Sequence, residues 1–302
     1  MNGFLNINKP EGITSFDVIR ILRKLLLPRK NKVGHLGTLD PMAGGVLPIA
    51  VGHATRVIQF IDDNRKEYIA EMNLGGISDT LDAWGDIKLT NKISYQIDEL
   101  ESILRSFKGV IQQIPPMFSA VHHSGKRLYE LARQGITVDR QPREVEIFSL
   151  EILQINNRAE LPVVTIKIVC SRGTYIRTLC HDIGNRLGTG AFMSKLVRNR
   201  SGIFQIDDSV KLENLRENPG LITDFILPVD YPLQYMYNIT VNDIQENSII
   251  NGEKLVINKI MPEGYIRVYS PESVLIVIAE CKPDNQRSIL KPLKVFKKRV
   301  EG

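Results

Sequence analysis

Residues 145–155 and 162–170 alternate apolar and polar side chains along two long runs, and this period of two constrains the fold most. A strand sends successive side chains to opposite faces, so each run calls for a sheet with a covered face. A third strand is read over residues 66–74, ending at Gly75-Gly76. Single helices punctuate the strands. Asp98 to Phe107 is amphipathic with Gly109 just beyond, and Thr174 to Leu187 is closed by Gly188. Thr14 or Ser15 caps another helix that runs to about Leu27 and stops at Pro28, with Phe16, Ile19, Leu22 and Leu26 on one stripe. Arg20, Arg23 and Lys24 fall off that stripe toward solvent. Residues 32–48 and 77–86 read as loops, and Pro115-Pro116 breaks the chain. Long strands separated by single helices predict an α+β domain, a mixed, mostly antiparallel sheet flanked by helices.

After Pro228 and Pro232 the texture changes. Short β-rich runs follow at 238–241, 254–258, 264–269, 273–279 and 289–296, separated by Asn251-Gly252, Pro262-Glu263-Gly264 and Lys282-Pro283-Asp284. That pattern predicts a small C-terminal β-barrel. With the boundary near residue 233, the domains are 1–232 and 233–302. A chain of 302 residues accommodates one large and one small domain. Its three cysteines, Cys170, Cys180 and Cys281, are odd in number and lack C-x-x-C spacing. A disulfide framework is therefore not expected, and a reducing compartment is. The N-terminus does not read as a signal peptide, and no apolar stretch approaches a bilayer span. The expected location is the cytoplasm. No long apolar surface stripe stands out, so a monomer is expected.

The net charge is +5, but its distribution is uneven. Val18–Leu39 carries Arg20, Arg23, Lys24, Arg29, Lys30 and Lys32 with no acid. Ile183–Ile206 carries Arg186, Lys195, Arg198 and Arg200, again with no acid. His122–Arg143 carries Lys126, Arg127, Arg133, Arg140 and Arg143 against two acids. Clustered cations suit a polyanion, because each neutralised phosphate releases counterions. Charge runs alone are more often solvated faces; these gain weight by lying beside segments that could carry chemistry.

Several chemistries lack their residues. His35, His53 and His122-His123 do not have metal-ligand spacing, and no carboxylate cluster accompanies them. A Gly-x-Ser-x-Gly elbow and a phosphate-cradling Gly-x-x-x-x-Gly-Lys loop are both missing. Cys180 falls within an apolar helix and reads as a structural thiol. What remains is Asp40, in Gly34-His35-Leu36-Gly37-Thr38-Leu39-Asp40-Pro41. Taken alone, Asp-Pro in a glycine-rich loop is a turn cap.

The wider string changes that reading. Gly34 to Leu47 (GHLGTLDPMAGGVL) closely resembles the catalytic loop of the tRNA pseudouridine synthase B (TruB) family. Further segments resemble family motifs in the same order. They are Asn8-Lys9-Pro10-Glu11-Gly12-Ile13-Thr14-Ser15, Lys66-Glu67-Tyr68 with Ser78-Asp79-Thr80-Leu81-Asp82 after it, Ile114–Ala120 (IPPMFSA), and Ser171–Leu179 (SRGTYIRTL). Together they span residue 3 to about 205.

The resemblance implies a pseudouridine synthase fold with a PUA-like C-terminal domain. It implies isomerisation of uridine 55 in the T-loop of tRNA, without metal or cofactor. Asp40 is then the essential carboxylate, whether by attack on C1′ or by assistance through C2′. Arg177 is implied beside it, Tyr68 as the stacking partner of the uracil, and His35 as the filler of the space an extruded base leaves. Leu196 matches a position near the pocket. RNA contacts are expected from the 122–143 insertion (Lys126, Arg127, Arg133, Arg140, Arg143) and from Lys195, Arg198 and Arg200. The basic tail (Lys291, Lys294, Lys297, Lys298, Arg299) is placed to approach the acceptor stem. The chain departs from the family at Val121-His122-His123, where a lysine is common, and at Phe118, where tyrosine is usual. A non-catalytic RNA-binding module would share every basic residue and differ only at Asp40. A metal-dependent hydrolase would be sensitive to chelators.

Overall fold

The structure, a computed structural model, describes residues 1–27, 31–62, 64–90 and 94–296. Pro28, Arg29, Lys30, Lys297, Lys298 and Arg299 lie outside the described residues. In chain order the elements begin with β1 (Gly3–Lys9), α1 (Ser15–Leu25), β2 (Val33–His35), β3 (Gly44–Val51), β4 (Arg65–Leu74), β5 (Gly76–Ser78) and β6 (Ile87–Leu89). Next come α2 (Ile97–Ser106), β7 (Gly109–Gln113), β8 (His122–His123), β9 (Lys126–Arg127), α3 (Leu128–Ala132), β10 (Arg143–Asn156) and β11 (Val163–Ser171). Then follow α4 (Ile176–Leu187), β12 (Ala191–Ser201), β13 (Phe204–Gln205), β14 (Val210–Lys211), α5 (Leu212–Glu217) and α6 (Ile222–Phe225). The C-terminal part contains β15 (Tyr237–Thr240), α7 (Asp243–Ile250), β16 (Leu255–Ile257), β17 (Gly264–Tyr269), β18 (Leu275–Asp284) and β19 (Arg287–Val295).

The main sheet runs β14-β1-β3-β12-β4-β11-β10-β7, with β2 added to β3 and β13 to β12. Only β1–β14 and β3–β12 are parallel, so the sheet is mixed and mostly antiparallel, as the alternation predicts. The strand readings over 66–74, 145–155 and 162–170 correspond to β4, β10 and β11. Helix α1 has a capping box, in which Thr14 accepts from the Asp17 N–H and the Asp17 carboxylate accepts from the Thr14 N–H. One stripe residue differs: Val18 is buried, while Phe16 is exposed beneath the Arg20 guanidinium. The 32–48 loop also differs. Strands β2 and β3 occupy its ends, leaving 36–43 as the turn between them. Pro48 concealed β3, since a proline cannot donate to a ladder; its carbonyl instead accepts from the Leu36 N–H at 2.9 Å.

Strand β3 is buried on both faces. Leu47, Ile49 and Val51 point into the main core with α1, α2, α4 and α5. Val46 and Ala50 point the other way, into a second cluster with Phe4, Leu36, Phe60, Phe204 and Ile278. Ile278 belongs to the C-terminal sheet, ordered β15-β17-β18-β19-β16 and curled into a half-barrel. That sheet is tied down at its margin as well. The Arg56 guanidinium donates to the Val295 carbonyl at 2.8 Å, and the Phe60 and Tyr265 rings meet edge-on at 5.0 Å.

At the start of β3, Gly45 has φ +99°, and a Cβ built there would stand 2.3 Å from the Arg198 carbonyl oxygen. Only glycine lets β12 pass this close. Gly45→Ala should lower stability by about 2 kcal/mol or more through strain and overpacking. Urea unfolding reads this directly, and an unchanged midpoint would contradict it.

Candidate active site

The 36–43 turn is held through its carbonyls. Arg198 donates to Gly37 O at 3.2 Å and Thr38 O at 3.4 Å. The Ser15 hydroxyl donates to Leu39 O at 3.0 Å and accepts from the Leu39 N–H at 2.8 Å. Asp40 O accepts from the Ala43 N–H, and Pro41 O from the Gly12 N–H and from Lys9 Nζ. Five consecutive carbonyls therefore have named donors, and the loop has little freedom to move. The turn is closed by this backbone bond, not by the Asp40 side chain.

The Asp40 carboxylate faces Arg177. Oδ2 lies 2.9 Å from Nε, a close ion pair set off the straight line of the N–H. The rest of the guanidinium goes elsewhere. One terminal nitrogen reaches Asp82 Oδ2 at 3.2 Å and Thr80 O at 3.3 Å, and the other reaches Phe118 O at 2.9 Å. One side chain on the first turn of α4 thus joins the 36–43, 78–86 and 115–121 segments. Asp40 is held by a single nitrogen and not by a bidentate fork.

Arg177 and Asp82 are almost fully covered, whereas about a third of the Asp40 side chain (35%) is open to solvent. Protein surrounds the carboxyl on its remaining sides. That desolvation raises its pKa above the ordinary value, Arg177 pulls it down, and Asp82 pushes it up. Lys9, wholly buried, is lowered to about 8 by its own desolvation. Its ammonium donates to Pro10 O and Ile13 O at 2.9 and 2.8 Å, pinning the turn before α1.

Tyr68 on β4 is 8% exposed, and burial pushes its hydroxyl up to about 12. It sits directly across from Arg198 on β12, whose guanidinium faces that hydroxyl. Burial, and then Arg198, lower the pKa of His35 on β2 from its ordinary value, and its Nδ1 has no hydrogen-bond partner. Leu196 is buried opposite Ala70.

The basic residues divide. Lys126 and Arg127 form a hairpin with His122-His123 around Ser124 and Gly125, both at positive φ, and both cations are exposed. Arg127 and Arg133 flank the Tyr129 ring at 6.0 and 5.4 Å. Arg143 and Arg200 are exposed, as is Lys195, near Glu71 at 3.9 Å. Arg140 is half-buried and donates to Pro115 O. Arg198 departs from expectation. It is 1% exposed, and its guanidinium is taken up by Val46 O at 2.7 Å as well as Gly37 and Thr38, so in this structure it braces the loop from within. Its place on a strand with alternating burial gave the signal, which counting charges overlooked. Asp82 and Ser15 are the residues that sequence reasoning left without a site role. Ser15 reads as a helix cap, and nothing local separates Asp82 from other loop acids. Among the described residues no group of three His, Cys, Asp or Glu is placed to hold a metal.

Comparison with known proteins bears on this geometry. The family description "TruB family pseudouridylate synthase (N terminal domain)" matches residues 23–176, and "tRNA pseudouridylate synthase B C-terminal domain" matches 177–234. A protein named tRNA pseudouridine synthase B from Syntrophomonas wolfei is 51% identical over 98% of this chain and 99% of its own length. Another of that name from Clostridium tetani is 44% identical over 91% and 94%. Two solved structures share the fold with TM-scores of 0.72. One, an H/ACA RNP bound to a substrate RNA containing 2′-deoxyuridine, is 25% identical over 99% of this chain and 86% of its own. The other, a Cbf5–Nop10–Gar1 complex, is 27% identical over 98% and 85%.

The electrostatics of the site make opposite predictions for Asp40's two neighbours. Arg177→Met removes the group that lowers its pKa, so its titration should move to higher pH; Asp82→Asn removes one that raises it, so titration should move lower. Carboxyl ¹³C NMR of labelled aspartate distinguishes these, and shifts of the same sign would contradict the arrangement.

Proposed function

The chain belongs to the TruB family of pseudouridylate synthases, enzymes that isomerise uridine to pseudouridine in tRNA, and on that premise we propose that it acts on uridine 55 of the T-loop with Asp40 as the essential carboxylate. The observation that carries this reading is Asp40 itself: an acid on a backbone braced at five carbonyls, paired with Arg177 and open on one side. In the reaction the N1–C1′ bond breaks, the uracil turns, and a C5–C1′ bond forms. The proton lost from C5 and the one gained at N1 balance, so no group enters or leaves and no cofactor or metal is required. Attack on C1′ and assistance through C2′ each need an ionised carboxylate beside the ribose. Arg177 favours that state by countering the desolvation of Asp40.

In this reading residues 1–232 form the catalytic domain, 122–143 its RNA-binding insertion, and 233–302 a PUA-like domain that reaches toward the acceptor stem. Tyr68 and Leu196 wall the uracil pocket, and His35 fills the stack the extruded base leaves. Lys126, Arg127, Arg133, Arg143, Lys195 and Arg200 meet phosphates. Arg140 serves there through its hold on Pro115. Three buried free thiols suit the reducing cytoplasm.

Asp40→Asn should abolish pseudouridine formation in an unmodified tRNA transcript while leaving tRNA affinity within about twofold. Turnover at the wild-type rate would overturn the assignment. Arg177→Lys should lower turnover well before binding, because one ammonium cannot span three segments; equal loss of both would make Arg177 an RNA contact. Affinity for tRNA should fall steeply as salt rises, and a flat response in a binding titration would remove the role given to the exposed cations.

A further inference from the structure

We propose that Trp84 is a stacking platform for a nucleobase that flanks the target uridine in the bound RNA. The proposal rests on the reading that RNA enters at Asp40.

Topology puts Trp84 at the rim of that site. Strand β3 pairs with β12 only where Gly44 and Gly45 meet Val197 and Arg198. Nearer the start of β12, residues 81–83 lie alongside instead. The Met193 N–H donates to Leu81 O at 3.1 Å, and the Ala83 N–H to Met193 O at 2.9 Å. The 36–43 and 78–86 loops therefore serve the same strand, and Arg177 joins them by gripping Asp40 and Asp82. Asp82 in turn accepts from the Trp84 N–H at 3.0 Å. Trp84 is thus linked to the carboxylate through Asp82 and Arg177.

The backbone around it is held on both sides. Leu81 is in the left-handed region at φ 65°, a conformation that a non-glycine side chain adopts at a cost. The Thr80 hydroxyl donates to Asp82 Oδ1 at 2.7 Å, and the Asp86 N–H to Asp79 Oδ1 at 2.8 Å. A Cβ added to Gly85 would stand 2.1 Å from Asp79 Oδ1, so the turn is closely packed at that point. Yet the indole that this scaffold presents is 61% exposed. Because its backbone is already held, an aromatic ring left in water here brings little backbone disorder to a contact, and a flat partner that covers it meets a small entropic cost.

The chemistry selects the partner. Asp79 and Asp86, brought together where the Asp86 N–H donates to Asp79 Oδ1, are both exposed in the loop that carries Trp84 and repel phosphate. A base face is neutral and flat, and its stacking on an aromatic side chain is indifferent to sequence. RNA with one nucleotide at Asp40 also has to lay its neighbours over the rim. Contact at Trp84 is therefore with a base, its phosphates turned toward the cations elsewhere.

Trp84 is the single tryptophan of the chain, so its fluorescence reports on the contact without a label. Titration of the wild-type protein with unmodified tRNA transcript should quench the emission. Trp84→Ala should raise KM about tenfold or more, with the single-turnover rate at saturating RNA held within about twofold. Trp84→Phe, which keeps a flat ring, should restore most of the loss, something a merely structural role would not require. The loss in Trp84→Ala should be the same at about 50 and 200 mM salt, whereas that in Arg127→Ala should shrink. Unchanged emission on binding, or wild-type KM in Trp84→Ala, overturns the proposal; the latter would leave the ring to a protein partner. Asp40→Asn in the same assay tests the underlying reading separately, since it scores turnover and not the contact at the rim.

Discussion

A buried guanidinium has to be neutralised, and its N–H groups need acceptors, or its burial is strongly unfavourable. Arg177 is neutralised by two carboxylates and bonded through both terminal nitrogens, drawing in three segments that are far apart in sequence: the 36–43 turn through its ion pair with Asp40, the 78–86 loop through Thr80 and Asp82, and the 115–121 segment through Phe118. The arrangement is unequal in a useful way. Asp82 and Arg177 are sealed from water and satisfy each other, while Asp40 keeps one open side. A cation shared between two acids leaves Asp40 less firmly neutralised than an exclusive pair would, and its carboxyl remains responsive to what enters the cleft.

Rigidity comes from a different set of contacts. Arg198, Ser15, Lys9 and the Gly12 and Ala43 amides together occupy the carbonyls from Gly37 to Pro41. The side-chain braces come from elements that are themselves fixed: β12, the first residue of α1 and the end of β1. Aligning a reacting group in advance removes an entropic cost that would otherwise fall at the moment of reaction. Burying Lys9 and Arg198 is unfavourable in isolation, and the carbonyls they bind are what make it tolerable.

The long strands, the helix ends and the C-terminal change of texture were legible because they follow local periodicity and turn chemistry. Asp40 and Arg177 were legible as members of a recognisable string, not from their own residue types. What sequence could not provide was direction. Arg198 sits between Lys195 and Arg200 in a basic run, but alternation turns it to the face opposite Lys195, and the bulge between Arg198 and Arg200 in the pairing with β4 leaves Arg200 exposed. Phe16 fits the apolar stripe of α1 by spacing, yet Val18 takes the buried place. Asp82 acquires its role only from a contact 95 residues away in sequence. Such outcomes are decided by tertiary packing, which residue order expresses only indirectly.

The burial of β3 on both faces carries a consequence for how the chain varies. The strand that delivers the Asp40 turn is sandwiched between the helices on one side and Ile278 of the C-terminal sheet on the other. Side-chain volume at Ile278, or at Leu293 and Phe296 packed nearby, is then felt at Val46 and Ala50, a few residues from Asp40. Substitutions at these positions would therefore be transmitted to the strand that carries the 36–43 turn. Grafting the C-terminal sheet of a distant relative would accordingly demand matched changes in β3.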